Sequence, residues 1–207
     1  MDKFWHGVFV KRILLPFCLI ALVAAALSGC APSASTVSLP TALPAGVSTG
    51  QPFDLTSTAF QPNALIPDRY GCHGANLSPA LAWTTPPAGT QSLVLIMDDP
   101  DAVKVVGHVF DHWLLFNIPA GTGSLPEGQP ASAGLPDGSL QGRNSFSRLG
   151  YGGPCPPAGQ THVYRFVLYA LDTVLELKSG ATRAELLKAI DGHILAQAEL
   201  DGRYSSP

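Results

Sequence analysis

Apolar and polar positions along the chain fall into short runs separated by Pro, Gly and Asn clusters, and most runs have the length and composition of β-strands. Residues 93–97 are continuously apolar and end in Asp98, Asp99, Pro100 and Asp101; residues 113–116 form a second such run, opened by His112. Segments 53–60, 80–83, 92–98, 113–118, 163–171 and 196–204 are β-rich or alternating, which predicts a mostly β fold, an antiparallel β-sandwich. One helix interrupts the pattern. Thr182, Arg183, Ala184 and Glu185 make a capping box, and Leu186, Leu187, Ile190 and Ile194 come next at helical spacing, with Gly192 near the end. That stripe reads as packing surface, and the chain shows no internal repeat.

The first apolar run, residues 13–27, is of another kind. Lys3, Lys11 and Arg12 precede it, and Leu27, Ser28 and Gly29 lead into Cys30. A basic flank, a short apolar core and small residues before a cysteine describe a secretory signal, and the ending resembles the bacterial lipobox. The run is shorter than the ~20 residues of a spanning helix; the alternative is a retained transmembrane anchor. The expectation is that residues 1–29 form a lipoprotein signal peptide cleaved before Cys30. Cys30 then takes lipid, and several acyl chains hold the protein to a membrane of the bacterial cell envelope, since each buried CH₂ contributes roughly 0.8 kcal/mol. Residues 30–51, rich in Ser, Thr, Ala, Pro and Gly and free of charge, read as a flexible tether. Residues 52–207 remain for one domain.

Charge and cysteine usage narrow the function. The net charge of −3 becomes more negative once Lys3, Lys11 and Arg12 leave with Asp2. With no basic stripe and no recognised motif, a nucleic-acid partner is not expected. Cys18 leaves with the signal and Cys30 takes lipid, so Cys72 and Cys155 remain. An even pair in an exported chain predicts a disulfide, two buried free thiols being the alternative.

If the strands around residues 92–98 and 113–118 share a sheet, Asp99 and Asp101 meet His112 at one rim. The same Asp-Asp-Pro-Asp sequence is also an ordinary turn, because Asp caps its own backbone and Pro pre-sets φ. A second stretch, residues 150–172, bears on the choice. Gly150, Gly152 and Gly153 permit positive φ and close backbone approach, three prolines stiffen the adjoining segment, and a strand begins with His162 and Tyr164 on one face at period two.

Together the two stretches resemble the signature blocks of the phosphatidylethanolamine-binding protein family, which includes the Raf kinase inhibitor proteins, and the bacterial branch of the YbhB and YbcL kind is most similar. Further blocks in the same order are CHGANLSPALAW at 72–83, the His112-Trp113 pair, NIPAG at 117–121, YGGPCPP at 151–157 and GHILAQAELDGRY at 192–204. Val103 departs from the second proline usual after DPDA, so ligand preference is not carried over. The resemblance implies a β-sandwich with a small helix near the carboxyl end. It also implies a non-enzymatic protein without cofactor or metal, whose pocket takes a small anionic ligand or a phospholipid head group. Asp99, Asp101, His112, His162 and Tyr164 converge there, with the backbone from Gly153 through Pro156 and Pro157 as a wall. Imidazolium at His112 or His162 is the expected donor to the anion, which makes affinity rise as pH falls through the histidine range.

Rival readings rest on the same residues. Two His and two Asp are a possible metal site able to activate water. Ser145 and Ser147 sit in a glycine-bounded loop without the G-x-S-x-G setting of a hydrolase. Some family relatives inhibit kinases or proteases, which makes an exported protein partner the main alternative. Arg143 and Arg148, flanking Phe146, read either as an anion-steering edge or as solvated loop charges. His73 and His108 are candidates for the rim, and His193 for capping the helix end.

Overall fold

The computed structural model describes residues 52–207. The expected signal peptide, the lipid site at Cys30 and the tether to residue 51 lie outside the described residues. The chain forms β1 (Leu55–Ser57), a 3-10 turn (Asp68–Tyr70), β2 (Leu81–Trp83), β3 (Ser92–Asp99), α1 (Val103–Val106) and β4 (Phe110–Pro119). After these come β5 (Ser124–Leu125), β6 (Leu140–Gln141), β7 (Thr161–Leu171), α2 (Arg183–Ile190) and β8 (Ile194–Ser205). Two antiparallel sheets result, one in the order β1-β2-β5 and a larger one in the order β6-β4-β3-β7-β8. No helix among the described residues is long and apolar enough to cross a membrane.

β3 is the centre of the larger sheet, and every one of its residues is buried. Its continuous apolar run is therefore two alternating sets facing two cores. Leu93, Leu95 and Met97 pack towards the small sheet with Leu55, Leu81, Trp83 and Leu125. Val94 and Ile96 face the other way, with Leu114 and Phe116 of β4, and are covered by Leu175, Leu186 and Ile190. Full burial of each such side chain contributes about 1.5–3 kcal/mol, so α2 is held by Leu186 and Ile190 more than by its own eight residues.

α2 begins where the sequence places it. The Thr182 hydroxyl accepts from the Glu185 N–H, and the Glu185 carboxylate accepts from the Thr182 N–H. It ends one turn earlier than the apolar spacing predicts. Asp191 is extended, Gly192 turns the chain with φ of +80°, and Ile194 starts β8 instead of continuing the helical stripe. Leu187 is also partly exposed. The strand expected over 53–60 is confined to Leu55–Ser57, because the Ser57 hydroxyl accepts from the Ala59 N–H and turns the chain. The very short β5 and β6, and α1, lack a pattern long enough to be recognised.

Candidate functional site

The site lies at the end of the larger sheet where β3, β4 and β7 stop together. Strand alternation separates the neighbouring carboxylates Asp98 and Asp99 onto opposite faces. Asp98, paired in register with Arg165, points to the helix-covered side. It accepts from Arg165 Nε and Nη2, each at 2.9 Å, and pairs with Arg183 Nη2 at 2.8 Å. Arg183 Nη1 also donates to Asp111 at 2.8 Å. Burial pushes the Asp111 carboxyl up despite that guanidinium. Asp99 points the other way. Its Oδ2 accepts from His162 Nδ1 at 2.7 Å and its Oδ1 from the Ala102 N–H at 3.0 Å. His162 and Tyr164 share this face of β7 and both are buried.

His112 reaches the same face through a β-bulge. Met97 pairs with Trp113 but Asp98 pairs with Asp111, leaving His112 as the extra residue. Without it, alternation would aim His112 at the Asp98 side. Bulges re-aim side chains in this way beside functional sites. The ring is locked by a reciprocal pair with Gly152: its Nδ1–H donates to the Gly152 carbonyl at 2.6 Å, and the Gly152 N–H donates to the His112 carbonyl at 2.9 Å. The rings of Phe110, Phe146 and Tyr164 surround it, with centroids 5.1–5.5 Å away. Burial pulls the His112 pKa below its ordinary value, and the Gly152 carbonyl and the Asp99 carboxylate oppose that only in part. At neutral pH the imidazole is therefore uncharged. Because Nδ1 carries the proton, Nε2 faces the pocket as a bare acceptor.

The wall is built by close backbone approach. A Cβ on Gly152 would lie 2.6 Å from the Phe146 ring, and one on Gly153 2.3 Å from the Tyr70 carbonyl oxygen. The Gly153 N–H donates to Asn76 Oδ1 at 2.7 Å. Cys72 and Cys155 are joined in a disulfide, which fastens this wall to the segment after the 3-10 turn. Cys155, Pro156 and Pro157 then line a pocket of about 240 Å³ together with Asp99, His112 and His162. Its remaining lining is apolar, from Ala102, Val105, Val106, Phe110 and Phe146, and it includes no Lys or Arg.

The structure thus brings Asp99, His112, Pro156, Pro157 and His162 together, and gives the other expected residues different places. Asp101 is turned away from the pocket. Its Oδ1 accepts from Lys104 Nζ at 2.8 Å and its Oδ2 from the Val163 N–H at 3.1 Å, interactions that lower its pKa. It clamps the β3–α1 turn to β7 and does not line the pocket. Gly153 stands behind the wall. Tyr164 lies beneath the floor, fully buried, with its hydroxyl near the Asp99 carboxylate and the Cys155 N–H but, among the described residues, in good hydrogen-bond geometry with neither. Burial first, then the Asp99 charge, pushes its ionisation up, so it remains a neutral phenol.

The two-His, two-Asp donor set is not assembled, since Asp101 faces elsewhere. Among the described residues, the three metal-ligating types that do approach within 4.8 Å of one another are Cys72, His73 and Cys155, with the sulfurs bonded to each other. His73 Nε2 sits 2.7 Å from the Ser206 hydroxyl, His108 folds onto the Val106 carbonyl, and His193 bonds to Asp172 instead of capping α2. The residues that sequence reasoning missed are Phe110 and Phe146 and the α1 pair Val105 and Val106. Phe110 sits two positions before His112; only the bulge makes that spacing informative.

The geometry defines a small-ligand pocket at the rim of a β-sandwich. Residues 56–205 match the model of the family described as phosphatidylethanolamine-binding protein, and the chain belongs to that family. It is 49% identical over 151 residues to a UPF0098 protein of Methanothermobacter thermautotrophicus, covering 73% of this chain and 97% of that one. It is 42% identical over 174 residues to the Mycobacterium tuberculosis protein named "Putative lipoprotein LppC", covering 84% of this chain and 80% of that one. The solved structure of E. coli YbcL superposes with a TM-score of 0.70 at 33% identity, covering 75% of this chain and 99% of YbcL. CT736 of Chlamydia trachomatis gives 0.68 at 39% identity, covering 75% and 98%.

Proposed function

We propose that the pocket binds a small ligand through a proton-bearing polar group, either a monoprotonated phosphomonoester or a zwitterionic head group with an ammonium, without carrying out chemistry on it. The observation that carries this reading is the state of His112, a neutral ring whose Nε2 is an acceptor, set beside the Asp99 carboxylate with no Lys or Arg in the lining. A fully ionised phosphate would meet a lone pair and a negative charge. A P–OH or an ammonium donates to both. For His112 this replaces the expectation of a charged ring, and the proton at Nε2 comes from the ligand; the other half of that expectation, His162, turns its two ring nitrogens to Asp99 Oδ2 and Gln160 Oε1. The apolar walls suit a substituent on the head group. Cys155 is held in the disulfide, so the lining offers no free thiol for covalent chemistry, which supports binding over thiol-based catalysis.

The protein would present this pocket at the bacterial envelope, anchored by lipid on Cys30. The lipoprotein name of the mycobacterial relative supports this, as does a match whose 174 residues exceed the span of 52–207. Titrating the protein with monomethyl phosphate and with phosphoethanolamine while following the His112 ring by NMR tests the ligand reading; an unchanged ring during saturable binding refutes it. A second reading, contact with an exported partner protein, is favoured by the roughly half-exposed Val103, Val105 and Val106 at the lip. An envelope protein that co-purifies and is lost on Val103→Glu is its expected signature; no such protein would discard it.

A further inference from the structure

Six arginines lie in the described residues. Arg69 pairs with Glu127, Arg165 with Asp98, Arg183 with Asp98 and Asp111, and Arg203 donates to the Asn63 carbonyl. Among the described residues, Arg143 and Arg148 find no ion-pair and no side-chain hydrogen-bond partner, yet both line one depression of about 240 Å³ that shares no lining residue with the pocket. Its other walls come from Ala133, Ser147, Leu149, Ser179 and Gly180, so no carboxylate offsets the two guanidiniums.

The loop that carries them is fixed. Arg143 and Leu149 form an antiparallel bridge. The buried Asn144 side chain accepts from the Phe146 and Arg148 N–H groups at 3.0 and 3.1 Å and donates to the Gly150 carbonyl at 2.9 Å. The Arg148 guanidinium rests over the Phe146 ring, 5.2 Å from its centroid, which limits its rotamers. A guanidinium fork suits a phosphate-type oxyanion, and this rigid loop brings two of them to one depression.

We infer that Arg143 and Arg148 form a second binding site, for a dianionic phosphate group, with the Ser147 hydroxyl as an additional donor. Its preference is opposite in sign to that of the pocket. No lining group other than the arginines is charged, so affinity tracks the ligand: it rises as pH increases through the second ionisation of the phosphate group, about 6 for a phosphomonoester and closer to neutrality for inorganic phosphate. Because both side chains are exposed, added salt weakens binding.

The test is NMR titration of the protein with inorganic phosphate at low ionic strength, at pH 6 and pH 8, reading the Arg143 and Arg148 Nε–H signals beside the His112 and His162 rings. Saturable arginine shifts, tighter at pH 8 and lost in the Arg143→Gln, Arg148→Gln double variant, are expected. Both residues are exposed, and unchanged His112 ring signals in the variant confirm its fold. Shifts confined to the histidine rings, or arginine shifts that never saturate, overturn the site. Vesicles of phosphatidylcholine with phosphatidic acid separate the two sources of the same chemistry: arginine-dependent retention assigns a lipid head group, and free-phosphate binding without retention assigns a soluble ligand.

Discussion

Replacing Asp98 by Asn removes the negative charge on which two arginines converge while keeping the side chain's shape. The carboxylate is 1% exposed and receives two contacts from Arg165 and one from Arg183, all within 2.9 Å. Breaking a buried pair from one side costs about 3–5 kcal/mol when the orphaned charge stays buried. Here Arg165 and Arg183 are 34% and 26% exposed, and Arg183 keeps Asp111, so partial rehydration lowers the expected loss to about 2–3 kcal/mol. With a urea dependence of about 2 kcal/mol/M, the midpoint falls by about 1–1.5 M at unchanged slope. The same cluster ties the ends of β3, β4 and β7 to α2 directly behind Asp99, so ligand affinity should fall as well. Urea unfolding of wild type, Asp98→Asn, Arg183→Gln and the double variant gives the coupling between the two groups. Additive single-variant effects, or an Asp98→Asn midpoint within about 0.3 M of wild type, would refute the reasoning.

The site itself carries three more predictions. Because burial lowers the folded-state pKa of His112 beneath its unfolded value of about 6.5, its contribution is complete above that pH and is lost as pH falls below it, by up to about 1.4 kcal/mol per unit. Unfolding between pH 5 and 7 should therefore show a shallower slope for His112→Asn than for wild type, and identical slopes would contradict the assignment. Gly152→Ala drives a methyl into the Phe146 ring and should weaken ligand binding at least tenfold with the fold retained; unaltered affinity would show that the wall yields freely. Cutting the Cys72–Cys155 link, whose sequence separation is 83, should cost about 2–5 kcal/mol, measured as a reductant-dependent drop in the urea midpoint. Reactive thiols at Cys72 and Cys155 in the unreduced, denatured protein would contradict the bridge itself.

The strands that form the core were legible because their apolar runs are long and their turns are marked by Gly, Pro and Asn. Even there the unbroken run of β3 concealed which residue faces which core, since a strand covered on both sides loses its period-two signature. The capping box located the start of α2, but Ile194 sat at helical spacing by coincidence, and only the chain reversal at Gly192 separates it from the helix. At the site, Asp99, His112 and His162 were found through ordered motifs. The bulge at His112, which decides its face, leaves no mark in a single sequence because it depends on pairing with β3. Asp101 was misplaced because a carboxylate in a turn looks the same whether it clamps a neighbouring strand or faces a ligand. The protonation of His112 was likewise invisible before its burial and its bond to Gly152 were known.

The most direct measurement compares monomethyl phosphate with methyl sulfate across pH 5.5 to 8. At the acid end both are monoanions of similar shape, but only the phosphate carries a proton to donate to His112 Nε2. Monomethyl phosphate should bind with an affinity that falls close to tenfold per pH unit above its second pKa of about 6, and methyl sulfate should bind at least a hundredfold more weakly. Equal affinities for the two, or a phosphate affinity that holds or rises towards pH 8 with the His112 ring shifted, would contradict a pocket that recognises its ligand by the proton it brings.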